Sequence, residues 1–167
     1  MKAITFILLL FWLCSLNHAA DNAGLFEIRQ VFEKPSGDTV EMELVHKENT
    51  KETINVSKTA LLNGSAIRSA SLVQDSVSGA PVIEIAFSNQ GAERFSKITA
   101  DNVGKRLAIL LEGKVQTAPV VNMRIPGGKA QIAGAFTKEE AGEMVRRIKR
   151  ALEVKDDKVR SPVDKPE

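Results

Sequence analysis

The run Leu107-Ala108-Ile109-Leu110-Leu111 constrains the fold of this chain more than any other feature. Five consecutive apolar residues leave no polar face for water. They lie between Gly104 and Gly113, a span too short for an ordinary buried helix. The run therefore reads as a strand covered on both faces, and such a strand needs other elements on each side of it. Behind it, Glu112-Gly113-Lys114 is a tight turn, and Val115 to Val121 returns as a second strand. Pro119 in that return has no N–H to donate, so it belongs at an edge, a bulge or a strand end.

Neighbouring segments supply the covering layers. Residues 81–87 alternate, with Ile83, Ile85 and Phe87 on one face and Glu84 on the other, the pattern of a half-buried strand. Ser88 then suits a helix N-cap, and the period changes. Ala92, Phe95, Thr99 and Val103 recur at helical spacing, opposite Glu93, Arg94, Lys97 and Asp101. Gly104 stops this helix, and Lys105 lies at its negative end. Further on, Thr137 and Glu140 make a capping box. Ala141, Met144, Val145, Ile148 and Leu152 follow on one helical stripe. In this second helix acids come first and Arg146, Arg147, Lys149 and Arg150 come last, as the helix dipole favours. Upstream, residues 25–32 and 40–46 flank the turn cluster Pro35-Ser36-Gly37-Asp38 and read as a hairpin. Residues 52–56, 69–74 and 130–136 are further strand candidates. The expected fold is α+β: an antiparallel-rich mixed sheet with two amphipathic helices packed on one face.

Residues 1–20 have a different character. Lys2 is followed by an apolar run from Ala3 to Leu13 broken only by Thr5, then polar Ser15, Asn17 and His18, then Ala19-Ala20. This is the layout of a signal peptide, and it implies an exported chain, periplasmic or extracellular after cleavage. Retention of the leader as a membrane anchor is the alternative. The expected organisation is a signal peptide at 1–20, N-terminal strands at 21–55, an α+β domain at 56–153 and a disordered charged tail at 154–167.

Cleavage there removes Cys14, the chain's one cysteine, and leaves His46 as its one histidine. Thiol catalysis, disulfides and structural zinc are then excluded. His46 closes an alternating stretch and reads as a surface residue at a strand end. No G-x-S-x-G elbow exists to pair with it. With 23 basic and 21 acidic residues the charge is nearly balanced, which argues against a dedicated nucleic-acid binder. No enzyme activity, cofactor or metal site is expected.

The stretch DNVGKRLAILLEGKVQTAPV, residues 101–120, resembles the signature of the SecD family of protein-export membrane subunits. The motif positions are Asn102, Gly104, Lys105, Arg106, Leu107, Ala108, then Glu112, Gly113 and Lys114, then Thr117, Ala118 and Pro119. Residues 82–95 (VIEIAFSNQGAERF) and 128–141 (GKAQIAGAFTKEEA) are similar to the segments on either side in that family, and Leu61-Leu62-Asn63-Gly64 fits upstream. The resemblance is to the head of the first extracytoplasmic region of SecD, and it implies an α+β fold and a role in handling unfolded or extended polypeptide during export. Implied partners are exported chains and components of the Sec translocase, with no nucleic acid, and with the membrane only through an uncleaved leader. An interaction module of the cell envelope for a specific folded partner is the rival reading. Most motif residues have fold-keeping explanations: Asn102, Gly104, Lys105, Arg106, Leu107, Gly113 and Lys114 surround a helix stop, a core strand and a turn. Thr117, Ala118, Pro119, Val120 and Met123 are the candidate edge for an added peptide strand.

Overall fold

The computed structural model describes residues 22–46 and 50–159. The expected leader, the turn at 47–49 and residues 160–167 of the expected tail lie outside them. After a 3-10 turn at Asn22–Leu25 come β1 (Phe26–Phe32), β2 (Thr39–Val45), β3 (Lys51–Ser57), β4 (Leu62–Asn63), β5 (Ile67–Gln74) and β6 (Pro81–Phe87). Then follow α1 (Asn89–Asp101), β7 (Leu107–Leu111), β8 (Lys114–Thr117), β9 (Lys129–Ile132) and α2 (Lys138–Val159).

The strands form two sheets. One has the order β3-β2-β8-β7-β1-β4, and β3 also pairs with β1, so β1, β3, β2, β8 and β7 close into a small barrel. The β1–β3 closure is short, Val31 opposite Val56 and Phe32 opposite Asn55. The β2–β8 pairing is parallel, at Leu44 opposite Val115, within an otherwise antiparallel sheet. The second sheet has the order β5-β6-β9 and is antiparallel throughout. The fold is α+β with a mixed, antiparallel-rich sheet, as expected, but the strands divide between two sheets.

All five residues of β7 are buried. Leu107, Ile109 and Leu111 enter a core with Phe26 and Ile28 of β1, Ile83, Ile85 and Phe87 of β6, Phe95 of α1, Ile132 of β9, and Ala141, Val145 and Ile148 of α2. Both helices thus give their apolar stripes to the same core. Phe87 is its aromatic centre, 5.9 Å from Phe26 and 4.9 Å from Phe95 between ring centroids. Ala108 and Leu110 point the other way, into the barrel, with Leu44, Ile54, Val56, Val115 and Ala118. Glu112 (φ 51°) and Gly113 (φ 75°) both adopt the left-handed region. Two consecutive positive φ values define the tight type I′ hairpin turn, which explains the glycine at 113.

Several expectations need correction. β1 and β2 do not form a hairpin: β2 pairs with β3 and β8, whereas β1 pairs with β3, β4 and β7. The turn cluster between them changes direction without bringing the two strands into register. The break at residue 55 falls inside β3, so the N-terminal strands and the later ones build one barrel. Val82 and Ala86 are buried along with Ile83, Ile85 and Phe87, because β6 is the middle strand of its sheet. Val103 lies beyond the end of α1 and is 51% exposed. β8 and β9 stop at Thr117 and Ile132. Finally, α2 runs on to Val159, so the charged segment from residue 154 begins as helix. It contains no glycine or proline before Pro162, and Glu and Lys propagate a helix well.

Candidate functional site

β8 returns from the Glu112-Gly113 turn alongside β7, and β2 lies on its other side only briefly. After Leu44 opposite Val115, β2 ends at Val45, and the His46 N–H bonds to Thr50 O at 2.9 Å. Beyond that point no strand among the described residues pairs with the outer side of Gln116, Thr117 and Ala118. It borders a cavity of about 290 Å3 lined by Leu44, Val45 and His46, by Arg106, by Gln116 to Pro119, and by Ala133, Gly134 and Ala135. A trough of about 560 Å3 continues from it along Met42, Val45, Val115, Gln116 and Phe136.

The five candidate edge residues do not act together. Thr117 and Pro119 line the cavity, Thr117 half-buried and Pro119 exposed. Ala118 also borders it, but its side chain is buried in the barrel core, so only its main chain is available. A register shift in the β7–β8 ladder at Ile109 and Leu110 turns Ala118 inward. Val120 faces a different hollow, shared with Phe32, Gly104, Lys105 and Arg106. Met123 is 70% exposed on the loop that follows. The chain from Pro119 to Val121 is not a fully free edge either. Leu107 N–H donates to Pro119 O at 3.0 Å and Val121 N–H to Lys105 O at 2.9 Å. These bonds flank the bridge between Arg106 and Val120, so the main-chain groups of Val120 turn away from β7.

Arg106 organises the closed end of this region. Its Nε donates to Ala118 O at 3.0 Å, and its two terminal nitrogens reach Glu52 Oε1 and Oε2 at 2.6 and 3.2 Å. His46 Nε2 stands 3.2 Å from Glu52 Oε2. The guanidinium beside Glu52 holds its carboxyl below the usual value, with a smaller contribution from His46. The carboxylate in turn raises the Arg106 pKa. Arg106 thus clips β3 to the chain on both sides of β7 and is not a free cation for acidic ligands.

The other motif residues keep the fold. Asn102 is buried, and its Nδ2 donates to Ile98 O at 2.8 Å, closing the last turn of α1. Gly104 has φ 81°, a left-handed stop, and its N–H donates to Val121 O at 2.8 Å. Lys105 and Lys114 are exposed, and Leu107 is in the core.

Some participants carried no evident sequence signal. Residues 133–136 read as the end of a strand but form a strap beside β8. Ser96 and Thr99 sit on the buried side of α1 and hold the loop after Val121: Arg124 Nε donates to Ser96 Oγ at 2.7 Å and Ile125 N–H to Thr99 Oγ1 at 3.0 Å. Among the described residues, no group of three or more His, Cys, Asp or Glu is placed to hold a metal ion, and no helix is long and apolar enough to cross a membrane.

The family model of the SecDF P1 head subdomain matches residues 41–152. The chain belongs to that family. Among curated SecDF-head relatives, protein translocase subunit SecD of Sebaldella termitidis is 46% identical over 89 residues, covering 53% of this chain and 22% of that protein. SecD of Acidaminococcus fermentans is 35% identical over 137 residues, covering 75% of this chain and 32% of that protein. A solved SecDF structure, of a membrane component that enhances protein export, matches with a TM-score of 0.60 and 30% identity over 78% of this chain and 63% of that one. The chain therefore spans about a fifth to a third of these two SecD proteins. The head match runs from within β2 through β9, and it includes both sides of the cavity and the whole 101–120 motif.

Proposed function

We propose that this chain is an exported, non-catalytic module linked to protein export, which holds unfolded or extended polypeptide against the outer side of β8. The observation that carries the reading is the outer side of β8 at Gln116–Ala118, which no described strand pairs, beside a cavity. Binding by strand addition uses main-chain hydrogen bonds and so tolerates many sequences, which a handler of diverse chains needs. The family supports the link to export, to an extracytoplasmic location and to the Sec translocase as a partner. The test is binding of the purified protein to a fluorescent secretory protein held unfolded, with its folded form as control. Preference for the unfolded form is the expected result, and equal or absent binding overturns the reading.

A second reading has its own observation. Phe32, Val120 and Met123 are 38%, 50% and 70% exposed, and Phe32 and Val120 share one hollow. Exposed apolar residues of this size suit a folded partner in the cell envelope. Val120→Asp with Met123→Asp separates the two: loss of a folded partner with unchanged binding of the unfolded reporter favours this surface.

A further inference from the structure

β5 is an edge strand. Its inner side pairs with β6, and no strand among the described residues pairs with its outer side. The alternation of the ladder says which main-chain groups are left over. Asp75 N–H donates to Ala80 O at 2.9 Å, one step beyond the Gln74–Pro81 pair. Val73 and Ser71 therefore also turn their main-chain groups to β6, and Ala70, Leu72 and Gln74 turn theirs outward. Pro81, which has no N–H, stands opposite Gln74, where this alternation asks for none. Among the described residues nothing else bonds the outward groups of Ala70, Leu72 and Gln74.

An open edge of this kind is a template for another strand. Folded proteins usually blunt it with short length, a proline or a charge. β5 runs for eight residues, IRSASLVQ, without proline, and its one charge is Arg68 near the start. The register shift between Ile67 and Ser69 protects that end alone.

We infer that two copies of this chain associate through β5, antiparallel across a two-fold axis beside Leu72, so that the two β5-β6-β9 sheets become one. Leu72 of one copy then bonds Leu72 of the other, and Ala70 bonds Gln74 on each side. The charges select this occupant. Arg68 lies at the start of the strand and Asp75 just past its end, so antiparallel copies set each Arg68 beside the other copy's Asp75. Parallel copies would set Arg68 against Arg68. Helix α2, which packs on β5, repeats the pattern. Glu139 and Glu140 lie in its first turn, and Arg146, Lys149 and Arg150 come later, so antiparallel neighbours meet acid to base. Gly142 fits the same arrangement. A Cβ there would lie 3.9 Å from Leu72 Cδ2 and 3.7 Å from the Arg146 guanidinium, ordinary contact, so a single copy has room for alanine. Glycine weakens a helix interior, but it leaves α2 bare beside Leu72, where the second α2 approaches.

The test is sedimentation velocity of the purified protein over a concentration series. A monomer–dimer equilibrium is the expected result. Gln74→Pro deletes an outward donor that bonds nothing within one copy, and Arg68→Glu sets like charges together twice. Each is expected to weaken the dimer about tenfold or more while far-ultraviolet dichroism stays native. A second arm does not depend on stability. Ser71→Cys, beside the axis, in a Cys14→Ser background, is expected to form a covalent dimer with a short bis-maleimide. Val77→Cys, on the 94% exposed turn far from the axis, is expected to form none. A protein that stays monomeric up to about 1 mM overturns the inference. So does a dimer indifferent to both edge variants, or one that cross-links as well through Val77→Cys.

Discussion

At the residue scale, Glu52 shows how a motif arginine works. Its carboxyl is held below its ordinary value of 4.5, mainly by the hydrogen bonds from Arg106. Folding therefore favours the ionised form. The stability it contributes is fully present above the unfolded carboxylate value and is lost as pH falls through the lower folded value. The Glu52 side chain is 37% exposed, so solvent screening keeps the effect modest. Glu52→Gln is expected to lower the melting temperature at pH 7 by about 2–4 °C. The difference should narrow as the pH falls below 4.5 and close once it has passed the lower value of the native carboxylate. Thermal melts of both proteins over a falling series of pH values check this, and a gap that stays constant or widens with acid would contradict it. At the same scale, Gly91 is required by a close approach and not by a turn: a Cβ there would lie 2.5 Å from Ala66 O. Gly91→Ala should cost about 1–3 kcal/mol in denaturant unfolding through overpacking.

At the element scale, the capping of α2 follows its sequence. Thr137 N–H donates to Glu140 Oε2 at 2.7 Å, and Glu140 N–H donates to Thr137 Oγ1 at 3.2 Å. Thr137→Ala should cost about 1 kcal/mol, measured by denaturant unfolding. Elements of this kind were legible because their signals are local. β6 and β7 have the bounds their alternation and apolar run imply, and Ser88 caps α1 with its Oγ accepting from Gly91 N–H at 3.1 Å. Pairing was not legible. Periodicity says which face of a strand is apolar but not which strand lies beside it, so β1 and β2 read as a hairpin although β3 stands between them. The candidate site divides the same way. Pro119 marked a strand end, and Thr117 and Pro119 do line the cavity. The inward turn of Ala118 depends on a register shift in the β7–β8 ladder, and the strap on the early end of β9 at Ile132. Neither has a side-chain pattern of its own: Ile132, Gly134 and Phe136 alternate as a strand does.

At the scale of the whole molecule, two cores meet across β7. Leu107, Ile109 and Leu111 belong to the core beneath the helices, and Ala108 and Leu110 to the barrel. Had the barrel and the helix-covered sheet met only at an exposed joint, each could melt alone. Because the alternate side chains of β7 fill both cores, loss of either exposes one face of a strand that has no polar side chains. The barrel is also small, so it should not outlive its partner. Leu110 is 1% exposed inside the barrel and Ile85 is fully buried beneath the helices. Leu110→Ala and Ile85→Ala should each cost about 2–5 kcal/mol. Each should also lower one and the same transition, with coincident far-ultraviolet dichroism and calorimetric melts. Hydrogen exchange should show the amides of β3 and β6 opening with the same free energy, that of global unfolding. Two resolved transitions, with Leu110→Ala moving one and Ile85→Ala the other, would show that β7 does not couple the cores.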